Sequence, residues 1–353
     1  MTTFTRLVTV IGGLALLSAP AYPQDGSRRF EPPPAGPGGP GRFGFGRGQI
    51  ASPRVGPIPG WELSTIQKNV DLGARGTLEV SNGPGEIKVR GTDGNEVRIT
   101  ATKRVKEANR EAARALMQNI VIRVTERGGG LEVFSELPAG KNAPILVDYD
   151  IFVPMSASVS LKSTGSVFVS NLKGELRAEA FFGDMVLGSV SRVRRAKTYA
   201  GNLTITGAEG EEVTAESAVA LNMKNIRART VETRTIAGPS TAIDVECDRC
   251  SLTSVSGDIE FVGALRRNAR YDITTNSGNI RLVPDGVVGF DLEATTGGLL
   301  RSEYALKSTA PSSPASGGRF LRGAYGDGSA ILSLKSFTGS VIVAKQVIPS
   351  GGR

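Results

Sequence analysis

Histidine is absent from all 353 residues, and only two cysteines and one tryptophan are present. Without imidazole, this chain cannot build Ser-His-Asp or Cys-His nucleophilic sites, His-ligated zinc or a histidine pH switch. Two thiols are too few for a four-thiolate zinc site. Long apolar runs are missing too. Leu7 to Leu17 is almost wholly apolar but only about ten residues long, short of the ~20 that span a bilayer as a helix.

What that run does fit is a secretion signal. One positive charge at Arg6 precedes it and the small-x-small triplet Ala19-Pro20-Ala21 follows, which predicts a signal peptide over residues 1–21. No cysteine stands at the cleavage site, so a lipid anchor is not expected. The mature chain is read as exported, periplasmic or extracellular at the cell surface, with no transmembrane segment after cleavage.

The formal net charge is +8. Residues 22–60 read as a disordered linker: from Gln24 to Gly60, eight prolines and ten glycines fill 18 of 37 positions, too little apolar surface to offset the entropy of ordering. Five arginines against Asp25 and Glu31 put +3 of the charge there. "GRFGFGRG" has the look of an Arg-Gly nucleic-acid tail, but behind a signal peptide it reads as a cationic tether. The balance suits an envelope polysaccharide, an anionic surface or another envelope protein as partner, and no nucleic acid.

Alternation begins at Trp61. Leu78/Val80, Ile87/Val89 and Val97/Ile99 mark three short strands separated by Gly-rich turns. "KEANREAARALMQNI" places Ala108, Ala112, Ala115, Leu116 and Ile120 on one face of a short amphipathic helix. Gly128-Gly129-Gly130 then turns a hairpin. This α+β segment is taken to cover 61–150, with repeat coils over 151–347 and a disordered tail over 348–353.

The coils announce themselves by a recurring phrase: a small hydroxylated residue, Gly, a small polar residue, then apolar-x-apolar. It occurs as "STGSVFV", "SVSGDIEFV", "TTNSGNIRLV" and "SFTGSVIV". Gly165, Gly183 and Gly201 are each 18 apart, Val219 continues the step, and Gly257, Gly278 and Gly297 follow, the last two steps being 21 and 19. Gly85 and Gly339 belong to the same phrase. Apolar pairs travel with it, from Val167/Val169 through Met185/Leu187, Leu203/Ile205, Leu221/Met223, Ile243/Val245 and Ile259/Phe261 to Ile280/Leu282. A period of ~18–21 residues predicts an all-β, single-chain solenoid, parallel β-helix-like, each coil completing its core on the next. The glycines are expected at corners needing positive φ, and the following Asp, Asn or Ser is expected to bond its own turn. Around Gly238 a short insertion is expected. Lys307 to Ala330 reads as a long loop, after which "ILSLKSFTGSVIV" closes the solenoid.

"LEVSNGPGEIKVRGTDGNEVRITAT", the helix with its following strand, "VDYDIFVP", the serial phrases and "GDGSAILSLKSFTGSVIV" together resemble a family of bacterial exported "putative adhesin" domains, related to the C-terminal domains of envelope-stress accessory proteins. The resemblance covers Trp61 to Val347. It implies a β-solenoid in the envelope and carries no catalytic residues and no cofactor.

Three further groups carry side chains capable of chemistry or charge binding. Asp148 and Asp150 share a strand face, the spacing of an inverting glycosidase pair; with Tyr149, Ile151 and Val153 as the buried alternation they read as a solvated face. Cys247 and Cys250, in "CDRC", lack the helix N-terminus a redox pair needs and read as a local structural disulfide, with free thiols or zinc as alternatives. Lys103, Arg104 and Lys106, and Arg192, Arg194 and Arg195, form two basic clusters. No acidic cluster recurs at coil spacing, since Asp184 and Asp258 are four coils apart. The leading expectation is a non-enzymatic adhesin-like binding or scaffolding protein. An envelope-stress accessory and, last, a carbohydrate-active β-helix enzyme stand as alternatives.

Overall fold

The structure is a computed structural model that describes residues 61–73, 76–138, 143–286, 288–308 and 318–346. The signal peptide, the linker, the middle of the predicted 307–330 loop and the C-terminal tail lie outside these residues.

Strands β1 (Trp61–Asp71), β2 (Thr77–Asn82), β3 (Ile87–Thr92) and β4 (Glu96–Lys106) precede helix α1 (Arg110–Gln118). The chain continues with β5 (Val121–Arg127), β6 (Gly130–Glu136), β7 (Ile145–Pro154) and β8 (Ser158–Ser163). Five long strands follow: β9 (Val167–Ala180), β10 (Met185–Thr198), β11 (Leu203–Ser217), β12 (Leu221–Thr235) and β13 (Ser240–Ser254). Each bends around a corner and stacks in parallel register on the next, so that Met185 lies over Val167, Leu203 over Met185 and Leu221 over Leu203. Beyond them lie β14 (Ile259–Ala264), β15 (Arg270–Thr275), β16 (Ile280–Asp285), β17 (Phe290–Thr296), β18 (Leu300–Ser302), β19 (Lys307–Ser308), β20 (Arg319–Tyr325), β21 (Ala330–Ser336) and β22 (Val341–Val343). The protein is a nearly all-β solenoid with one short helix.

Alternate side chains point inward and form one continuous core. Val167, Val169, Leu172, Leu176 and Ala178 of one coil, and Met185, Leu187, Val190, Val193 and Ala196 of the next, are all buried. No single coil could hide these residues; the neighbour above and below does.

Three features depart from the sequence reading. First, β21 and β22 do not close the stack. β21 lies between β15 and β17, and β22 between β16 and β18, so the coil made last is second from the end. The terminal coil, β17 with β18, is covered by β20, antiparallel on β17 and itself paired with β19. Phe290, Tyr304 and Tyr325 pack there with ring centroids 4.8–5.5 Å apart. Second, the N-terminal end is arranged likewise. β2 and β3 already form a coil, sandwiched in parallel between β6 with β7 and β8 with β9. Antiparallel strands cover that end, β5 on β6 and β1–β4 on β7. Both ends thus stop the parallel ladder from recruiting another chain. Third, Ser240 and Ala242, rather than Ile243 and Val245, fill the inward slots over Leu221 and Met223. Ile243 is exposed, and no insertion interrupts the coil, because Gly238 holds the corner position above Val219.

The helix is short and its buried face is Ala113, Leu116 and Met117 rather than the Ala112/Ala115 side. Asn109 caps its start, accepting from the amides of Glu111 and Ala112. Between β5 and β6 the chain turns on Gly128 and Gly129, both left-handed at φ 58° and 79°, as a two-residue type I′ turn requires.

Candidate binding surface

The repeated phrase builds one corner of each coil. At Gly257 and Gly278 the backbone φ is not left-handed, and of the predicted corner glycines Gly85 alone has a positive φ, 129°; at the others glycine is needed for space. A Cβ on Gly257 would overlap the carbonyl oxygen of Gly238, and one on Gly278 that of Gly257. The contact column runs Gly85, Gly165, Gly183, Gly201, Val219, Gly238, Gly257, Gly278, Gly339 and then Gly298. Gly297, the residue singled out by spacing, stands one place off the column; Gly298 stacks on Gly339.

The preceding hydroxyl explains the Ser/Thr of the phrase. Thr275 Oγ1 accepts from Gly278 N (3.1 Å) and donates to Gly257 O (3.1 Å), so one hydroxyl satisfies two corners. Ser336 does the same between Gly339 and Gly278. At Thr235, one coil above Val219, Oγ1 is buried with no such partner. The polar residue after glycine bonds the next coil rather than its own turn: Asp184 Oδ1 accepts from Asn202 N (2.8 Å), and Asp258 Oδ1 from Asn279 N (2.7 Å). These two aspartates are therefore ladder rungs.

A second corner is built from left-handed residues at the same spacing, Asn171, Ser189, Gly207, Asn225 and Asp244. Asn, Asp and Gly tolerate that conformation best. At a third, Cys247 and Cys250 are joined by a disulfide, with Cα atoms 5.9 Å apart. Both are buried, in the slots over Ala228 and Val231.

The glycine corner carries a feature that the sequence reading missed. Just outside the hydroxyl ladder, backbone hydrogen bonds stack Phe181, Tyr199, Ala218, Ile236, Val255, Asn276 and Phe337 in one column. Beside it Ala237, Ser256, Ser277 and Thr338 stack on Val219, which in the three-residue corner 218–220 also stands in the glycine column beneath Gly238, while Phe182 and Ala200 follow Phe181 and Tyr199 along the chain. Among the described residues thirteen large hydrophobic side chains are exposed. Seven of them, Phe181, Phe182, Tyr199, Val219, Ile236, Val255 and Phe337, sit on these two columns. Phe182 and Phe337 are each 77% exposed. Phe181 and Tyr199 stack with ring centroids 4.8 Å apart and planes 5° from parallel, the spacing of one coil. Lys197 Nζ lies 4.7 Å from the Tyr199 ring and 2.8 Å from Glu216, whose hydrogen bond raises the lysine pKa. The signal was there to be read, as an apolar residue two places before glycine in "FFGD", "YAGN", "IAGP", "VSGD" and "FTGS".

Elsewhere, charges are answered locally. Lys103 is buried, donating to Ile120 O (2.5 Å) at the end of α1, and burial lowers its pKa. Arg104 holds Asp148 (2.6 Å), which also accepts from Glu86 N (3.0 Å). Arg90 reaches Asp150 at 3.5 Å. Arg194 lies between Glu175 and Glu212, and Arg195 beside Glu179. In the two predicted basic clusters Lys103, Arg104, Arg194 and Arg195 are therefore engaged within the protein. A shallow hollow of about 320 Å³ near Arg227, Arg229 and Arg266 is likewise self-neutralised, Arg227 pairing with Asp244 and Glu246 and Arg266 with Asp248. Among the described residues no group of three or more Cys, Asp or Glu is placed to hold a metal, and no helix is long and apolar enough to cross a membrane.

Fold and surface together define a β-solenoid of stacked coils with an apolar ridge along its glycine corner. Residues 175–317 match the family model described as Toastrack DUF4097. No curated protein matches the chain. Among solved structures, a "putative adhesin" from Bacteroides fragilis NCTC 9343 is 13% identical over 80% of this chain and 97% of its own, with a TM-score of 0.38. A "putative lipid binding protein" from Parabacteroides distasonis ATCC 8503 is 12% identical over 79% and 96%, with a TM-score of 0.42.

Proposed function

We propose that the chain is an exported, non-enzymatic protein of the cell envelope that binds or scaffolds through its rigid solenoid surface. The observation that carries this reading is the apolar ridge. Contiguous exposed apolar side chains on a soluble protein mark an interaction site, and these are held at fixed spacing by a hydrogen-bonded ladder, so little ordering entropy opposes association.

The test is co-sedimentation of the purified full chain with isolated bacterial envelopes. Replacing Phe181, Phe182, Tyr199 and Phe337 together by serine is expected to reduce binding by about tenfold or more, with a small fall in melting temperature from the lost Phe181–Tyr199 stacking and a retained fold, since none of the four is a core residue. Val186→Ser, on another face, is the matched control. Equal binding by the ridge variant and the control would remove the basis of the proposal.

A further inference from the structure

We propose that the ridge is the interface of a two-fold symmetric dimer of this chain. The inference rests on reading the ridge as a binding surface, and it names the occupant. What points to a second copy is the order of residues along the two columns, which is complementary to its own reverse.

Counted from Ile236, the first column has Val255, Asn276 and Phe337 on one side and Ala218, Tyr199 and Phe181 on the other. A two-fold axis crossing the ridge at Ile236 runs the two copies antiparallel. Phe181 then meets Phe337, Tyr199 meets Asn276, Ala218 meets Val255, and Ile236 meets itself. The second column is centred on Ala237. There Phe182 meets Thr338 and Val219 meets Ser256, a large side chain against a small one, while Ala200 meets Ser277 and alanine stands on the axis, where small side chains let the backbones approach. Parallel packing would set Phe182 on Phe182 and, at the other end, Thr338 on Thr338, so the bulk of one end would hold the other end apart.

The flanking charges agree with the antiparallel arrangement. Beside the first column the outward ladder runs Glu179, Lys197, Glu216, Arg234, Thr253, Thr274 and Lys335. Reversed on itself, it sets Glu179 against Lys335 at both ends and Lys197 and Glu216 against threonines. Arg234 meets its copy near the axis, with Glu216 one coil away in each protomer. On the other flank Asp184 falls opposite Ser340 and Asp258 opposite Ala220, so on that flank no like charges meet; the Arg234 pair is the one like-charge contact, with Glu216 beside it in each protomer to offset it.

Six coil steps of about 4.8 Å make the ridge about 29 Å long. A contact two residues wide over that length belongs with the smaller, transient interfaces, so the dimer is expected to dissociate on dilution.

The experiment is sedimentation velocity of the purified full chain over a dilution series, with cysteine cross-linking. A concentration-dependent dimer is expected. Ile236→Glu, which sets like charges together on the axis, should weaken it by about a hundredfold without lowering the melting temperature, whereas Val186→Glu should leave it intact. The double variant Phe182→Cys with Thr338→Cys should form a disulfide-linked dimer on mild oxidation, Ala237→Cys should link to itself, and Phe182→Cys alone should not. A wild-type chain that stays monomeric, a dimer indifferent to Ile236→Glu, or efficient self-linking of Phe182→Cys would overturn the proposal. If the wild type is monomeric yet the serine variant loses envelope binding, the ridge belongs to another partner: the dimer is refuted and the proposed function stands.

Discussion

A glycine at the stacked corner is required by its neighbour's carbonyl, not by its own torsion angles. Gly257 and Gly188 make the contrast measurable: a Cβ at Gly257 overlaps Gly238 O, while at Gly188 it meets nothing within 4 Å. Gly257→Ala is therefore expected to cost at least about 3 kcal/mol through backbone displacement. Gly188→Ala should be neutral or stabilise by about 0.5 kcal/mol through the unfolded chain. Urea denaturation of the two variants checks both; equal midpoints would refute the stacked corner. At this scale the repeat was legible because spacing alone marks equivalent positions. The cause was not, since positive φ and steric crowding both select glycine. Gly297 was misassigned for the same reason: with glycine at both 297 and 298, sequence spacing cannot say which one stacks. The left-handed column at Asn171, Ser189, Asn225 and Asp244 escaped notice because its residues differ in type.

Between coils, the hydroxyl ladder is the element that turns a stack of apolar strands into one register. Thr275 joins two corners through a single Oγ1. Thr275→Val keeps shape and burial but strands the Gly278 amide and the Gly257 carbonyl, so a loss of about 2–3 kcal/mol is expected. Hydrogen exchange should show faster exchange at both Gly278 and Ser336, because Ser336 stacks in register on Thr275; a change confined to residue 275 would argue against coupled coils. The serial Ser/Thr could be seen in the sequence, and their stacking follows from a fixed period. β1 could not be foreseen: most of its side chains are exposed, so no alternation betrays a strand, and it is held by its antiparallel pairing to β4. The face of α1 was misjudged by one residue because alanine is apolar on every side. The ridge was overlooked for a related reason, since its large side chains fall in what reads as turn, outside the inward alternation that defines a strand.

In the molecule as a whole, order along the chain and order in space agree from β8 to β16 and disagree at both ends. Periodicity gives each coil its form but does not say which coil lies beside which, and "ILSLKSFTGSVIV" looks like a final coil because it comes last in the repeat. Its place between β15 with β16 and β17 with β18 changes what truncation does. Removing residues 330–346 deletes an internal layer, leaving β17 and β18 without their parallel neighbours. Such a chain is expected to lose protease resistance over β14 to β18, while remaining protected over β9 to β12; trypsin digestion followed by mass spectrometry reads this directly. Uniform protection would contradict the intercalated arrangement. The same inversion has a temporal side. A solenoid stacked in chain order can zip up from one end as it is synthesised, each coil docking as it appears. Here residues 290–302 emerge before the layer that carries them, can pair only with β20 in the meantime, and must wait until 330–343 arrive to be joined to the stack. Maturation of that end is thereby tied to synthesis of the final coil, and a prematurely terminated product keeps an open sheet edge that proteases and chaperones can recognise.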